Sequence, residues 1–350
     1  YELLKTPATK VTLITRPRRF GKTLGMSMLA DFFDIRKESS SLFEGLDISE
    51  KTSICNEWLN QYPVIFLSLK DIDGLTFEDA YGQLVAQIAD LYKEYTYLLE
   101  CAEIDEDDKR IFLDLKAGKA DKVQVSRSLS TLMKMLQIYY QKPVILLLDE
   151  YDVPVAKASN HGYYNEMLDV MKGIMSTALK DNQALRFAVI TGCLKIAKES
   201  IFTGTNNFVS DTVRDSRYNE YFGFTDSEVD QLYEKYTRNT QDIHISREDL
   251  KEWYDGYTTK SGERMYNPRS VVLALTNNNI GNYWTSSGPY DEIYYYIEHN
   301  IDDVRAKIEL AIKDNKLRNE LLRRSEKNIN KFSWNKTARE IYNVINKGEN

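Results

Sequence analysis

The sequence predicts an α/β protein: a parallel sheet flanked by helices, followed by a small helical domain. Three observations predict it. Short apolar runs alternate with longer helical stretches, the pattern of parallel strands joined by helical crossovers. Val144–Leu148 is apolar at every position, as a central strand covered on both faces must be. Past Phe224 the strand-like runs stop and short capped helical segments take over.

Taken in order, Val11–Thr15 is the first strand and Thr23–Phe33 the helix after it. Val64–Leu69 is the second strand and Phe77–Leu98 a second helical region. The acidic run Glu103–Asp108 reads as an exposed turn, and Val123–Tyr140 as a helix. Val144–Leu148 is the third strand, Tyr163–Lys180 a helix, Phe187–Thr191 the fourth strand and Phe208–Val213 a fifth. Asp226–Tyr236, Ser246–Tyr254 and Pro268–Asn277 follow as short helices, with caps at Thr225, Ile245–Ser246 and Asn267. The expected organisation is a core at 1–223, a helical domain at 224–303 and a basic helical tail at 304–350.

Charge and composition exclude several classes. Among 350 residues, 46 Lys and Arg face 53 Asp and Glu, a net charge of −7, which argues against a general polyanion binder. The tail is the exception, because residues 304–350 carry 12 Lys and Arg against 6 Asp and Glu. No apolar run approaches the roughly 18–20 residues of a membrane span, so no membrane partner is expected. Cys55, Cys101 and Cys193 are widely spaced, odd in number and without metal-ligand spacing. With no signal peptide visible, a reduced, cytoplasmic setting is the expectation, tempered by a chain that opens at Tyr1 rather than Met. The histidines His161, His244 and His299 form no ligand pair.

The strongest local feature is Arg16-Pro17-Arg18-Arg19-Phe20-Gly21-Lys22-Thr23, between a predicted strand and a predicted helix. That is the setting of a phosphate-binding P-loop. A helix N-terminus offers unpaired N–H groups and partial positive charge to a phosphate. Lys22 is then placed to reach β- and γ-phosphates, and the Thr23 hydroxyl to ligate Mg²⁺. Arg16 stands where the full pattern has glycine, and Pro17 has no N–H to donate. Arg18 and Arg19 either add charge to such a cradle or pair with the acidic surface. A second feature, Val144–Leu148 followed by Asp149-Glu150, ends an apolar strand in two carboxylates. In P-loop proteins the strand-end Asp holds Mg²⁺. The next Glu is placed to polarise an attacking water. Both motifs would meet at the carboxyl edge of the sheet.

The expected nucleotide contacts are therefore Arg18, Arg19, Phe20, Gly21, Lys22, Thr23, Leu24 and Thr191. The metal ligands are Thr23 and Asp149, the catalytic pair is Lys22 and Glu150, and the expected cofactors are a nucleotide and Mg²⁺. Thr191, at the fourth strand's end, either senses the γ-phosphate or caps a turn. Asp152 either pairs with a loop arginine or caps a turn, and Cys193 reads as a small buried hydrophobe. Arg214 and Arg217 reach a phosphate or lie on a solvated face. Trp253–Tyr257 and Tyr266–Pro268 form either an aromatic face for bases or the core of the helical domain.

Taken together, these residues resemble the AAA-ATPase-like family of P-loop proteins, many of which carry a C-terminal PD-(D/E)XK nuclease-like domain. The matching strings are RPRRFGKT at 16–23, LFEGLDI at 42–48, YPVIFL at 62–67, DEYDVP at 149–154, Thr191-Gly192, IFTGTNN at 201–207, FGFT at 222–225, WYDGY at 253–257 and YNPRS at 266–270. They cover roughly residues 1–305. The resemblance implies a P-loop core of the additional-strand, catalytic-glutamate class, with Arg16 as a family trait. By it Lys22 and Thr23 serve phosphate and metal, Asp149 the metal and Glu150 catalysis. It implies Mg-dependent ATP hydrolysis coupled to an unknown conformational or partner switch. The alternatives are a non-hydrolysing nucleotide-binding module and an ATPase subunit of a nucleic-acid-processing system, with protein partners and homo-oligomers open. Past about Val304 this resemblance stops. No nuclease signature follows, and KFSWNKTA at 331–338 is instead similar to the C-terminal end of nucleotide-sugar glycosyltransferases. Without the rest of such an enzyme, the tail carries no transferase activity over.

Overall fold

A computed structural model describes residues 3–4, 9–193, 196, 201–202, 208–212, 215, 217–259, 262–283, 305, 308–310 and 312–329. Five parallel strands make the main sheet: β1 (Val11–Thr15), β2 (Val64–Ser68), β3 (Val144–Asp149), β4 (Leu185–Gly192) and β5 (Phe208–Asp211). Their spatial order is β2-β3-β4-β1-β5, so β4 is inserted between β1 and β3. All four pairings are parallel. Every residue of β1 and of β3 is buried, as expected of strands covered on both faces.

The helices cover both faces because side chains alternate along each strand. On one face Ile145 and Leu147 of β3 pack with Met26, Ala30 and Phe33 of α1 (Lys22–Phe33) and with Trp58 of α2 (Thr52–Trp58). On the other, Leu148 borders Leu84 and Ile88 of α3 (Phe77–Lys93), Leu129 of α6 (Ser128–Tyr140) and Met171 of α8 (Tyr164–Leu179). Each such buried aliphatic side chain contributes about 1.5–3 kcal/mol.

Several elements differ from expectation for identifiable reasons. The acidic run at 103–108 is not a turn throughout, since α4 (Glu106–Lys116) begins within it. Asp105 caps that helix by accepting the Asp107 N–H, and three acidic residues in the first turn face the positive end of the helix dipole. The helix expected at 123–140 is two, α5 (Lys122–Ser126) and α6, because Arg127 ends the first. The region Phe77–Leu98 divides into α3 and a 3₁₀ turn at Thr96–Glu100. An unanticipated helix, α7 (Val153–His161), starts directly after β3, with Pro154 in its first turn, where no N–H is needed.

Beyond residue 224 the strands do not stop. A two-stranded antiparallel hairpin, β6 (Asp255–Thr258) and β7 (Arg264–Tyr266), joins three helices. These are α9 (Asp226–Asn239), α10 (Arg247–Tyr254) and α11 (Pro268–Asn277). The expected caps Thr225, Ser246 and Asn267 each accept a backbone N–H three residues on. Val229, Ile245, Leu250, Tyr254, Tyr266, Val271 and Ala274 form this region's own core. Arg247 ties it together by bonding Asp226 and Asp230 beneath the Tyr266 ring.

Residues 1–292 form one compact unit and 293–350 another. The second contains the basic helix α12 (Asn315–Ile329). The KFSWNKTA string lies outside the described residues, as do Arg214 and the IFTGTNN residues 203–207. No helix among the described residues is long and apolar enough to cross a membrane.

Candidate functional site

Because β1, β3 and β4 are parallel neighbours, the loops leaving their carboxyl ends emerge side by side. Backbone bonds extend the pairing past the strands: Arg16 N–H donates to Gly192 O at 3.1 Å, and Tyr151 N–H to Thr191 O at 3.0 Å. The ends of β3 and β4 meet so closely that a Cβ on Gly192 would lie 2.7 Å from the Tyr151 ring. Glycine at 192 is what lets the two loops converge.

At this edge the Thr23 hydroxyl donates to Asp149 Oδ2 at 2.6 Å, and the Thr191 hydroxyl donates to Asp149 Oδ1. Asp149 and Thr191 are fully buried, whereas Thr23 is exposed. The carboxylate is thus held between the start of α1 and the end of β4. Thr191 bonds the carboxylate rather than capping a turn. Glu150, the next residue, has a left-handed backbone with φ of 55°, a conformation that costs a non-glycine residue about 1–2 kcal/mol. Such strain gathers at functional sites.

Lys22 is also enclosed, only 3% exposed. Its Nζ donates to Arg16 O at 3.0 Å, to Pro17 O at 3.2 Å and to Cys193 Sγ at 3.2 Å, and lies 3.6 Å from Glu150 Oε1. Burial pulls the ammonium down, but Cys193, Glu150 and Asp152 outweigh burial and hold it above its usual value. Lys22 is therefore charged where it sits. Cys193 is half-buried, with its Sγ 3.8 Å from Glu150 Oε2 and its N–H donating to Asp152 Oδ2 at 3.0 Å. It is a polar member of the cluster rather than the small hydrophobe expected, and Asp152 acts through that N–H. The one signal in the sequence that could have marked Cys193 is its place immediately after β4, at the carboxyl edge of the sheet.

The rest of the loop is built differently from a glycine-rich one. Arg16 is 1% exposed. It reaches across to β5, bonding Asp211 Oδ1 at 2.5 Å and Asp211 O at 3.2 Å. Burial pushes the Asp211 carboxyl up despite that arginine. Arg19 has φ of 68° and Gly21 φ of 82°, and Gly21 occupies the position before α1. Arg19 Nη1 donates to Tyr283 O at 3.1 Å. Its guanidinium is drawn down by burial and by the neighbouring charges of Arg269 and Arg18. Phe20 is buried, while the Leu24 side chain is 67% exposed. Arg217 lies over the Tyr218 ring, 5.1 Å from its centre. Among the described residues no group of three or more His, Cys, Asp or Glu side chains could hold a metal ion.

A parallel α/β sheet with a strand-to-helix loop, a buried lysine and a strand-end carboxylate at one edge belongs to the nucleotide-binding class of proteins. The chain belongs to the Predicted AAA-ATPase family, whose model matches residues 2–202. It is also similar to an "Uncharacterized protein in vnfD 5'region" of Azotobacter chroococcum mcd 1, 28% identical over 277 residues. That match covers 79% of this chain and 47% of the relative, so the chain spans about half the length of the protein it resembles.

Proposed function

We propose that the chain binds ATP with Mg²⁺ at the 16–23 loop and hydrolyses it, with Lys22 and Glu150 as the catalytic pair. The observation that carries this reading is the Thr23–Asp149 contact of 2.6 Å, which places a hydroxyl and a carboxylate together beside a buried lysine. Hydroxyl and carboxylate oxygens are the hard donors that suit Mg²⁺, so Thr23 and Asp149 fit as its holders. When bound, Mg²⁺ supplies charge neutralisation at the phosphate oxygens.

The chain's own residues then divide the work. Lys22 exchanges the carbonyls of Arg16 and Pro17 for phosphate oxygens. The first N–H groups of α1, beginning at Gly21 and Lys22, face the same anion. Thr191 holds Asp149 in orientation. Once Lys22 turns toward phosphate, Glu150 is released from its 3.6 Å partner and accepts a proton from the attacking water. A cytoplasmic setting goes with this reading, since Cys55, Cys101 and Cys193 form no disulfide.

The test is a Mg-ATP titration with phosphate release on three proteins. Lys22→Ala is expected to lose ATP binding. Glu150→Gln is expected to keep binding while turnover falls roughly 100-fold or more. Unchanged binding in Lys22→Ala overturns the site, and unchanged phosphate release in Glu150→Gln overturns the catalytic role. The Lys22–Glu150 pairing favours a second reading, a module that binds but does not turn over. That reading predicts an ATP-dependent rise in Tm with no phosphate released.

A further inference from the structure

A loop that presents backbone N–H groups to phosphate must hold its shape, and this one does so without the usual first glycine. Pro17 contributes no N–H, and Arg19 is held in the left-handed region. Between Arg19 and Gly21, Phe20 is 1% exposed. Its ring meets Tyr257 of β6 edge-on, with centroids 5.0 Å apart and planes at 90°. The socket is completed by Gly223, at φ of 111°, and by Met265 of β7. A Cβ on Gly223 would lie 3.1 Å from two Phe20 ring carbons and 2.9 Å from the Met265 methyl, so only glycine leaves room for the ring.

Other loop residues land on the same segment. Arg16 lies over the Phe222 ring at 5.4 Å, and Arg19 bonds Tyr283 O. The Asn267 side chain, which caps α11, lies 3.5 Å from Arg18 O. Residues 16, 18, 19 and 20 are thus braced by residues 222–283, all beyond the 2–202 stretch that the family model matches.

We propose that Phe20 is a positioning residue: seated in the socket of Gly223, Tyr257 and Met265, it holds the loop's N–H groups in phosphate-binding geometry. Nucleotide affinity then depends on the helical segment. The inference rests on the 16–23 loop being the phosphate site. An edge-on aromatic pair is worth about three- to tenfold in an equilibrium beyond its buried area. Tyr257 is 37% exposed against 1% for Phe20, so its truncation is the milder of the two.

The experiment measures Kd for Mg-ATP, and KM and kcat for phosphate release, on the full chain. The variants are Phe20→Ala, Tyr257→Ala, Tyr257→Phe, the Phe20→Ala/Tyr257→Ala double and Lys22→Ala. Phe20→Ala and Tyr257→Ala are each expected to raise Kd and KM at least about threefold while kcat at saturation holds. The double variant should be no worse than the weaker-binding single, and Tyr257→Phe should bind like wild type. Should Phe20→Ala fail to fold, as judged by circular dichroism, Tyr257→Ala decides. A fall in Tm with Kd unchanged overturns the inference, because the ring would then be structural only. Lys22→Ala separates the two failures. If it retains ATP binding, the site reading falls. If it loses binding while Tyr257→Ala keeps the wild-type Kd, only the positioning role falls.

Discussion

The hydroxyl of Thr23, one residue into α1, donates to Oδ2 of Asp149, the last residue of β3, across 2.6 Å. These residues are 126 positions apart in sequence, and their contact joins the loop after β1 to the end of the central strand. Asp149 also accepts from Thr191, so one buried carboxylate gathers three elements.

Asp149→Asn should therefore remove the Mg²⁺ dependence of ATP affinity while leaving the sheet intact. Asp149→Ala should in addition lower stability by about 1–3 kcal/mol, since the buried Thr191 hydroxyl loses its acceptor. Titrations with and without Mg²⁺, together with denaturant unfolding, check both. An Asn variant whose affinity still responds fully to Mg²⁺ counts against Asp149 as a metal ligand.

Cys193 should react with iodoacetamide more slowly when ATP is bound. Its Sγ is 3.2 Å from Lys22 Nζ, the group that would turn toward phosphate. Alkylation there should block ATP binding, and Cys193→Ser should bind ATP but resist the block. Mass spectrometry of labelled peptides, with Cys55 and Cys101 as internal references, reads the result. Equal labelling with and without ATP would contradict the placement of the nucleotide.

Replacing Arg16 with the glycine of the usual loop pattern should harm this protein. The Arg16–Asp211 pair is almost wholly buried, with side chains 1% and 2% exposed. Breaking it from one side leaves an uncompensated carboxyl and costs about 3–5 kcal/mol. Arg16→Gly should show that loss in urea unfolding, and adding Asp211→Asn should recover part of it. A neutral Arg16→Gly would mean that the pair does not brace the loop.

Leu147→Ala tests the sheet itself. Leu147 is fully buried in the cluster that includes Met26, Phe33 and Val189. The truncation should cost about 2–5 kcal/mol, the span for a leucine lost from a packed core. A cost below about 1 kcal/mol would place Leu147 outside the core.

Alkaline pH should loosen the helical segment. An unfolded tyrosine ionises near pH 10. In the fold, burial and then the hydrogen bond to Asp226 push Tyr266 up to about 12. Folding thus favours the neutral phenol, and that stabilisation is intact below pH 10 and lost as pH rises toward 12. Thermal unfolding followed across this window should show Tm falling. Tyr266→Phe should fall less steeply, and identical slopes would refute the assignment.

Much of the sheet was legible because its signals are local. Five apolar runs, their alternation with helices and the carboxylates at the end of Val144–Asp149 need no partner to be read. The caps Thr225, Ser246 and Asn267 were legible for the same reason, since a cap bonds within three residues. The hairpin at Asp255–Tyr266 was not, because its strands are four and three residues long and its aromatics suit a helix equally. The acidic run at 103–108 misled, because charge that suits a solvated turn also suits a helix N-terminus.

What the sequence determined by itself is the parallel α/β framework, the order of its elements and the strings at 16–23 and 149–150. Each rests on periodicity or on neighbours a few residues away. Only the tertiary structure decided that Arg16 is anchored to Asp211, that Cys193 meets Lys22, and that Phe20 is lodged against Tyr257. Those contacts span 195, 171 and 237 positions, and no local pattern encodes which side chains a folded sheet and its following helices bring within 5 Å.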